Sequence, residues 1–297
     1  MSVKPRSQRG ADRRFALLCL LPLGAFAVAL MVVPVGNLLF MAVHDLHWRE
    51  GRLLTEFVGT RHLGEFISDK LYWIGLRNTT LFALVTVALQ MLFGLALALA
   101  VKKQKRGRCL LLAIFLIPII VPLIVIGAMW KLILNADIGV LNMVLAQIGV
   151  GRTDWLGDEK LALATVIAVD VWHWTPFTIL LLLAGLESLP CDVYESARLD
   201  TVSNWQELRY ITLPLIWPTL LVTALFRLIL SFKVFDEIYL LTSGGPGTAT
   251  EVVSYSIYRT FFAEDRTGLG SVMALFTLFV IALSVILLLN WRKRSTR

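Results

Sequence analysis

Polar and aromatic side chains recur at helical spacing inside two apolar segments of the chain. On the first segment they are Asp170, His173, Trp174 and Phe177. Intervals of three and four residues place all of them on one face of a helix. Arg227 and Ser231 form a matching face on a later segment. Groups that hydrogen-bond hydroxyls, combined with rings that stack on C–H surfaces, suit the binding of a carbohydrate.

The two charges are functional candidates because an unpaired charge inside an apolar segment is costly to bury. Asp170 and Arg227 each lie about 13 Å into their segments at about 1.5 Å per residue, close to a membrane midplane. Two interpretations stay open, and both can hold. The two side chains neutralise each other's charge between helices, or they line a pathway through which a bound molecule moves. A sharper hypothesis is that the molecule moved along this pathway carries an anionic group, such as phosphate, sulfonate or carboxylate, and that Arg227 binds this group. Lys233 and Glu237, four residues apart, are interpreted as a helix-stabilising pair.

The elements that carry these residues belong to a membrane protein. Hydrophobic residues make up 57% of the 297 residues, charged residues only 16%, and the mean hydropathy is +0.74. A soluble domain has about a quarter charged residues. Six apolar segments are each long enough to span as a helix, and lipid leaves backbone groups no other partner, so an all-α bundle is expected. The segments are Phe15–Val43, Asn78–Val101, Cys109–Ile133, Leu161–Leu186, Leu213–Leu241 and Leu269–Trp291.

The distribution of basic residues predicts the orientation of the bundle. The two tails and the loops at 102–108 and 187–212 carry 16 Lys and Arg, against 10 in the longer loops on the other side. Both termini are therefore expected in the cytoplasm, with tails at 1–14 and 292–297 around a transmembrane domain at 15–291. These clusters account for the net charge of +7, so nucleic acid is not an expected partner. The first segment is predicted to be an uncleaved helix rather than a signal peptide.

Catalytic chemistry is not expected in this chain. No G-x-x-x-x-G-K-[ST] phosphate cradle occurs, and the glycine-rich stretch at 243–247 is predicted to be a turn. No HExxH pair occurs within a helix, and three of the four histidines fall in the loop after the first segment. The three cysteines are widely spaced, without a metal-binding CxxC pair. The sequence therefore predicts a non-enzymatic protein without a metal or cofactor of its own.

The loop between the fourth and fifth segments is the most polar on the expected cytoplasmic side. Asp192 with Glu195, and Ser203 with Gln206, each match the capping-box pattern that starts a helix. Two short helices joined by a turn at 200–201 are predicted. Such a pair is too short to span and too amphipathic for an idle linker.

This loop carries a resemblance to a known family. The residues concerned are Glu195, Ala197, Arg198, Asp200, Trp205, Gln206, Leu208, Ile211, Leu213 and Pro214. They resemble the EAA loop of ABC-importer permeases, and Ser231–Thr250 is similar to the first permease subunit of carbohydrate-type importers, the group of the maltose and glycerol-phosphate systems. The resemblance covers roughly residues 75–291. Thr201 departs from the pattern, because the family usually has Gly there.

The resemblance implies a type I ABC-importer permease in a bacterial inner membrane. The segment 188–214 would be a coupling loop that docks on a cytoplasmic ATPase dimer through Glu195, Ala197, Arg198, Asp200, Leu213 and Pro214. ATP and Mg²⁺ would be bound by those ATPase subunits. The other implied partners are a second permease, an external substrate-binding protein that meets residues 134–160 and the 243–247 turn, and a carbohydrate moved by alternating access.

A stand-alone carrier or channel driven by an ion gradient is the alternative, with Asp170 as the ion-linked carboxylate. It predicts inverted internal repeats, which the sequence does not show. It also leaves the capped polar loop unexplained.

Overall fold

The described chain is mostly helical, as the sequence predicts. A computed structural model describes residues 6–49, 52–104, 106–190, 192–195 and 203–295. The helices are α1 (Arg6–Ala42), α2 (Arg61–Ser68), α3 (Lys70–Lys103), α4 (Arg108–Ile120), α5 (Leu123–Ile133), α6 (Val140–Gln147), α7 (Ala162–Glu187), α8 (Asn204–Gln206), α9 (Leu213–Phe232), α10 (Asp236–Leu241), α11 (Val253–Tyr258) and α12 (Thr267–Ser295). Two π-helical turns, Glu207–Thr212 and Arg259–Ala263, follow α8 and α11.

Among the described residues, five helical stretches are long and apolar enough to cross a membrane. They are Leu20–Ala42, Lys70–Lys103, Ala162–Glu187, Asn204–Phe232 and Thr267–Asn290. A sixth span exists if α4 and α5 are counted together, although their axes bend by 92° at the break. The prediction of one continuous helix over Cys109–Ile133 is therefore wrong, because the segment forms two helices. Val121 and Pro122 are extended there, because proline lacks the N–H that would continue the helix and disfavours a helical residue before it.

The fifth predicted helix is also interrupted. It ends at Phe232 instead of reaching Leu241, and α10 begins at Asp236. The hydroxyl of Ser254 donates to the carbonyl of Val234, which takes the place of a helical N–H partner. Lys233 and Glu237 consequently belong to different elements, so their interpretation as a helix-stabilising pair is wrong.

A two-stranded antiparallel hairpin after α1 is an element that the sequence analysis does not anticipate. Strands β1 (His44–Arg49) and β2 (Arg52–Phe57) pair with His44 opposite Phe57. The His44 ring stacks on Phe40 at 4.0 Å between centroids and meets the edge of Phe57 at 5.3 Å. Strands are possible here because the segment lies between apolar stretches, where water can satisfy the exposed backbone groups.

The chain divides into two compact units. One comprises residues 1–68 and 260–278, and the other residues 69–259 and 279–297. In the second unit, α3, α7 and α9 pack together around two groups of buried apolar side chains. The first group includes Phe82, Val166 and Ile238; the second includes Ala98, Leu182 and Ile216.

The α3–α7 contact depends on a glycine. A Cβ atom on Gly94 would lie 2.5 Å from Thr178 Cγ2 and 2.9 Å from Thr178 Cβ. Gly94→Ala is therefore expected to destabilise the protein by about 1–3 kcal/mol through overpacking. Thermal unfolding in detergent should show a lower melting temperature for this variant. Gly24→Ala is the matched control, since a Cβ there meets nothing within 4 Å; equal melting temperatures for the two variants would contradict the packing argument.

Candidate functional site

A buried cluster of polar side chains connects the three packed helices of the second unit. Arg227 on α9 is only 1% exposed and Asp170 on α7 only 2%. Arg227 Nη2 lies 3.4 Å from Asp170 Oδ2 and 3.4 Å from the hydroxyl of Ser231. The structure therefore contains the ion pair that the first open interpretation requires.

Gln90 on α3 completes the cluster. Arg227 Nε donates to Gln90 Oε1 at 2.6 Å, and Gln90 Nε2 donates to Asp170 Oδ2 at 2.8 Å. One amide thus bridges the guanidinium and the carboxylate, and all three side chains are buried. The sequence analysis missed Gln90, although an amide in the middle of the apolar segment Asn78–Val101 was a usable signal.

The aromatic part of the predicted face lies beside the guanidinium. The Arg227 guanidinium carbon sits 4.9 Å from the centroid of the Trp174 ring, a cation–π contact. Trp174 meets Phe177 edge to face at 6.3 Å, and both rings are half-buried. The predicted faces of α7 and α9 therefore come together.

His173 turns toward a different partner. Its Nδ1 atom lies 3.2 Å from Glu237 Oε1, and both side chains are buried. Glu237 reaches His173 because the chain breaks after Phe232 and α10 folds back against α7. The four-residue spacing of Lys233 and Glu237 predicted a helix pair, so this contact was not expected from the sequence.

Three of the five N–H donors of the guanidinium are engaged within the cluster. Nε bonds Gln90 and Nη2 bonds both Asp170 and Ser231, whereas Nη1 has no partner among the described residues. A guanidinium held in this way keeps one free edge group rather than the parallel pair that grips an anion bidentately. Because these polar groups are buried, a hydroxylated molecule can meet them only when the packed helices move apart.

The second short helix of the polar loop, which precedes the N-terminal end of α9, starts where the sequence predicts. Ser203 and Gln206 form the capping box, each side chain accepting from the backbone N–H of the other. Residues 192–195 are helical, with Glu195 exposed. Leu213 is half-buried and Pro214 is exposed at the start of α9. Ala197, Arg198 and Asp200 lie outside the described residues.

The described helical stretch at 192–195 contacts both the residues before α9 and α3. The Tyr194 hydroxyl donates to Thr212 Oγ1 at 3.1 Å, and Lys102 Nζ lies 4.5 Å from the Tyr194 ring centroid. Lys102 also donates to the carbonyl of Leu186 at 2.9 Å. Trp205 and Tyr210 remain 65% and 69% exposed beside it.

At the opposite end of α9 the glycine-rich stretch forms the predicted turn. Gly244 has φ +83°, and a Cβ there would lie 2.7 Å from Tyr255 Cε1. The turn borders a cavity of about 470 Å³. Its lining includes Lys131, Asp137, Asp154, Thr242 and Pro246.

The chain that carries this cluster is similar to membrane components of known transport systems. The family of the binding-protein-dependent transport system inner membrane component matches residues 90–297. The chain is 36% identical over 275 residues to the trehalose/maltose transport system permease protein MalF of Thermococcus litoralis, covering 92% of this chain and 91% of that protein. It is 30% identical to the sulfoquinovosyl glycerol transport system permease protein SmoG of Agrobacterium fabrum, and the match covers 92% of this chain and 88% of that protein.

A solved structure has the same fold. A chain of a bacterial alginate ABC transporter, crystallised with an alginate pentasaccharide-bound periplasmic protein, matches with a TM-score of 0.84 over 99% of both chains at 23% identity. The sequence match to the Thermococcus litoralis protein covers 92% of this chain, and the family match covers residues 90–297. This chain therefore belongs to the family of inner-membrane components of binding-protein-dependent transport systems, the permeases of ABC importers.

Proposed function

We propose that this permease moves a neutral carbohydrate across a bacterial inner membrane, along a pathway lined by the Arg227 cluster. The observation that carries the proposal is the buried contact of Arg227, Asp170 and Gln90 beside the Trp174 ring. Three apolar helices bring these polar groups together, and polar groups inside spans mark substrate pathways. The names of the relatives, which include trehalose and maltose systems, support the same substrate class.

Each residue has a distinct role in this proposal. Trp174 and Phe177 provide aromatic surface for the C–H face of a sugar ring. Asp170, Ser231 and the free Nη1 of Arg227 provide hydrogen bonds to hydroxyls, while His173 is positioned by Glu237. Because Asp170 already neutralises Arg227, the proposal favours a neutral sugar over the anionic cargo considered from the sequence.

Import requires partners that supply energy and deliver substrate. We propose that the segment 188–214 docks on a cytoplasmic ATPase dimer, which binds ATP and Mg²⁺, and that both termini are cytoplasmic. A second permease would complete the pathway, and an external binding protein would meet residues 134–160 and the 243–247 turn. ATP-driven closure of the ATPases would turn the bundle outward to accept sugar, and hydrolysis would return it inward.

Uptake by the complete importer tests the substrate class. The chain, its permease and ATPase partners and the binding protein are reconstituted in liposomes with ATP inside, and labelled trehalose, maltose and sulfoquinovosyl glycerol are offered separately. We expect uptake of at least one of the two neutral disaccharides and no uptake of histidine, the control. Uptake of sulfoquinovosyl glycerol alone would overturn the neutral-cargo proposal, and uptake of histidine without any sugar would overturn the carbohydrate assignment.

A further inference from the structure

Two separate groups of contacts join the same three helices, α3, α7 and α9. The first is the buried Arg227 cluster, which brings together Gln90, Asp170 and Arg227. The second is formed by Lys102 and Tyr194 at the helix ends nearest the polar loop, and it is called the loop junction below. A movement that separates the three helices therefore acts on both groups.

Tyr194 connects the polar loop to two of these helices. It belongs to the described helical stretch at 192–195 and is half-buried. Its hydroxyl donates to Thr212 Oγ1 at 3.1 Å, and its ring centroid lies 4.5 Å from Nζ of Lys102 in the last turn of α3. Thr212 is 3% exposed and directly precedes α9. A displacement of Tyr194 is thus passed to the start of α9 and to the end of α3.

Lys102 connects the loop junction to the third helix. Its Nζ donates to the carbonyl of Leu186 at 2.9 Å, in the last turn of α7. An ammonium group has three donors, and it is favoured beside the carbonyl end of a helix. Lys102 can therefore hold α7 and the Tyr194 ring at the same time. An uncharged side chain at this position would lose both contacts.

The three helices differ in stiffness between the loop junction and the buried cluster. α3 runs without a proline from Gln90 to Lys102, a length of about 18 Å for an α-helix. α7 and α9 each contain one proline in the corresponding stretch, Pro176 and Pro218. A proline removes an intrahelical hydrogen bond and favours bending. A displacement at the loop junction can therefore change the angles between the helices instead of moving them as one body.

We propose that Tyr194 and Lys102 transmit movement of the polar loop to α3, α7 and α9, which separates these helices and uncovers the Arg227 cluster. The inference rests on the proposed docking of the 188–214 segment on an ATPase. The buried cluster makes such a device necessary, since its polar groups meet a sugar only after the helices separate. Both residues act through the helices and touch neither sugar nor ATPase, so they are positioning residues.

The amount of sugar imported per ATP hydrolysed, measured with the complete importer in liposomes, tests this role. Tyr194→Phe and Thr212→Val each remove the hydroxyl contact, Lys102→Met removes both contacts of the ammonium group, and Lys102→Arg keeps a cation. Arg108→Gln is the matched control, because Arg108 joins α4 to α7 through an ion pair with Glu187, and the two side chains are 37% and 45% exposed. The amount of ATPase that co-purifies is measured for every variant.

We expect Tyr194→Phe and Thr212→Val each to lower uptake per ATP by about 2- to 10-fold, which corresponds to one neutral hydrogen bond. The double variant should fall no further than the single variants, because both changes remove the same contact. Lys102→Met should lower the ratio by about tenfold. Lys102→Arg and Arg108→Gln should stay close to wild type, and co-purifying ATPase should be unchanged throughout.

Three results would overturn the inference while leaving the proposed function intact. The first is unchanged uptake per ATP in both Tyr194→Phe and Lys102→Met. The second is loss of co-purifying ATPase in these variants, which would show that the two residues support docking itself. The third is an equal loss in Arg108→Gln, which would indicate a general effect of the helix ends. A wild-type importer without ATP-driven sugar uptake would overturn the proposed function and this inference together.

Discussion

Arg227→Gln is expected to abolish sugar uptake, and adding Asp170→Asn should restore assembly of the importer. The single change leaves a buried carboxylate without its counter-charge, since Asp170 is 2% exposed and Arg227 is its ion-pair partner. Removing one member of a buried pair costs about 3–5 kcal/mol. We therefore expect the yield of assembled complex to fall by at least about tenfold, and uptake to be lost.

The double variant separates the two interpretations that the sequence leaves open. With neutral groups at both positions, no charge is left unpaired, and assembly should recover toward the wild-type level. If the pair also lines the pathway, uptake per complex should remain about tenfold or more below wild type, since hydrogen bonds to the cargo are lost. Full recovery of uptake would contradict the pathway role and reduce the pair to a structural one.

Arg266→Gln is the matched control for the loss of a guanidinium. Arg266 is half-exposed and pairs with Glu65 at 2.8 Å in the other unit of the chain. Exposed ion pairs contribute only about 0–1 kcal/mol. Assembly and uptake of this variant should therefore stay close to wild type.

The combined variant Glu195→Ala, Asp200→Ala is expected to separate the permease from its ATPase partner. Glu195 is exposed on a helical stretch, and the Tyr194–Thr212 hydrogen bond joins this stretch to the residues just before α9. A charged side chain exposed on a helical stretch is suited to docking on a partner protein. Removing key contacts of such an interface costs about 2 kcal/mol or more, so co-purifying ATPase should drop by at least about tenfold.

The amount of bound ATPase is measured by purifying the tagged permease from its own membranes in mild detergent. Glu56→Ala is the control, because Glu56 is an exposed carboxylate in the β-hairpin, far along the chain from the 188–214 segment. ATPase should accompany the wild type and the control but not the combined variant. A permease that runs alone in all three preparations would instead favour the gradient-driven carrier.

Most of the membrane architecture could be predicted from the sequence because lipid imposes long apolar helices. The breaks were harder to place. The segment 109–133 has enough hydropathy for one span, yet Pro122 turns it through 92°. Just after the end of α9 at Phe232, the carbonyl of Val234 accepts a hydrogen bond from Ser254, about twenty residues further along the chain. No local pattern around Lys233 contains that information.

In the candidate site, individual residues could be identified from the sequence, whereas contacts between distant residues could not. Asp170 and Arg227 could be picked out because charges are rare inside apolar segments. Their bridge through Gln90 depends on how α3 packs against α7 and α9, which a single sequence does not specify. The contact of His173 with Glu237 likewise requires the fold-back of α10. The Ser203–Gln206 capping box, by contrast, is local in sequence and was predicted correctly.

Uptake measured with ATP but without any ion gradient distinguishes an ATP-driven importer from an ion-coupled carrier. Liposomes containing the complete importer are loaded with ATP and Mg²⁺, treated with ionophores that collapse every gradient, and offered binding protein with labelled trehalose or maltose. We expect uptake that persists under ionophores, stops when ADP replaces ATP, and is lost in the Glu195→Ala, Asp200→Ala variant. Uptake that continues with ADP and disappears under ionophores would contradict it and identify an ion-coupled carrier.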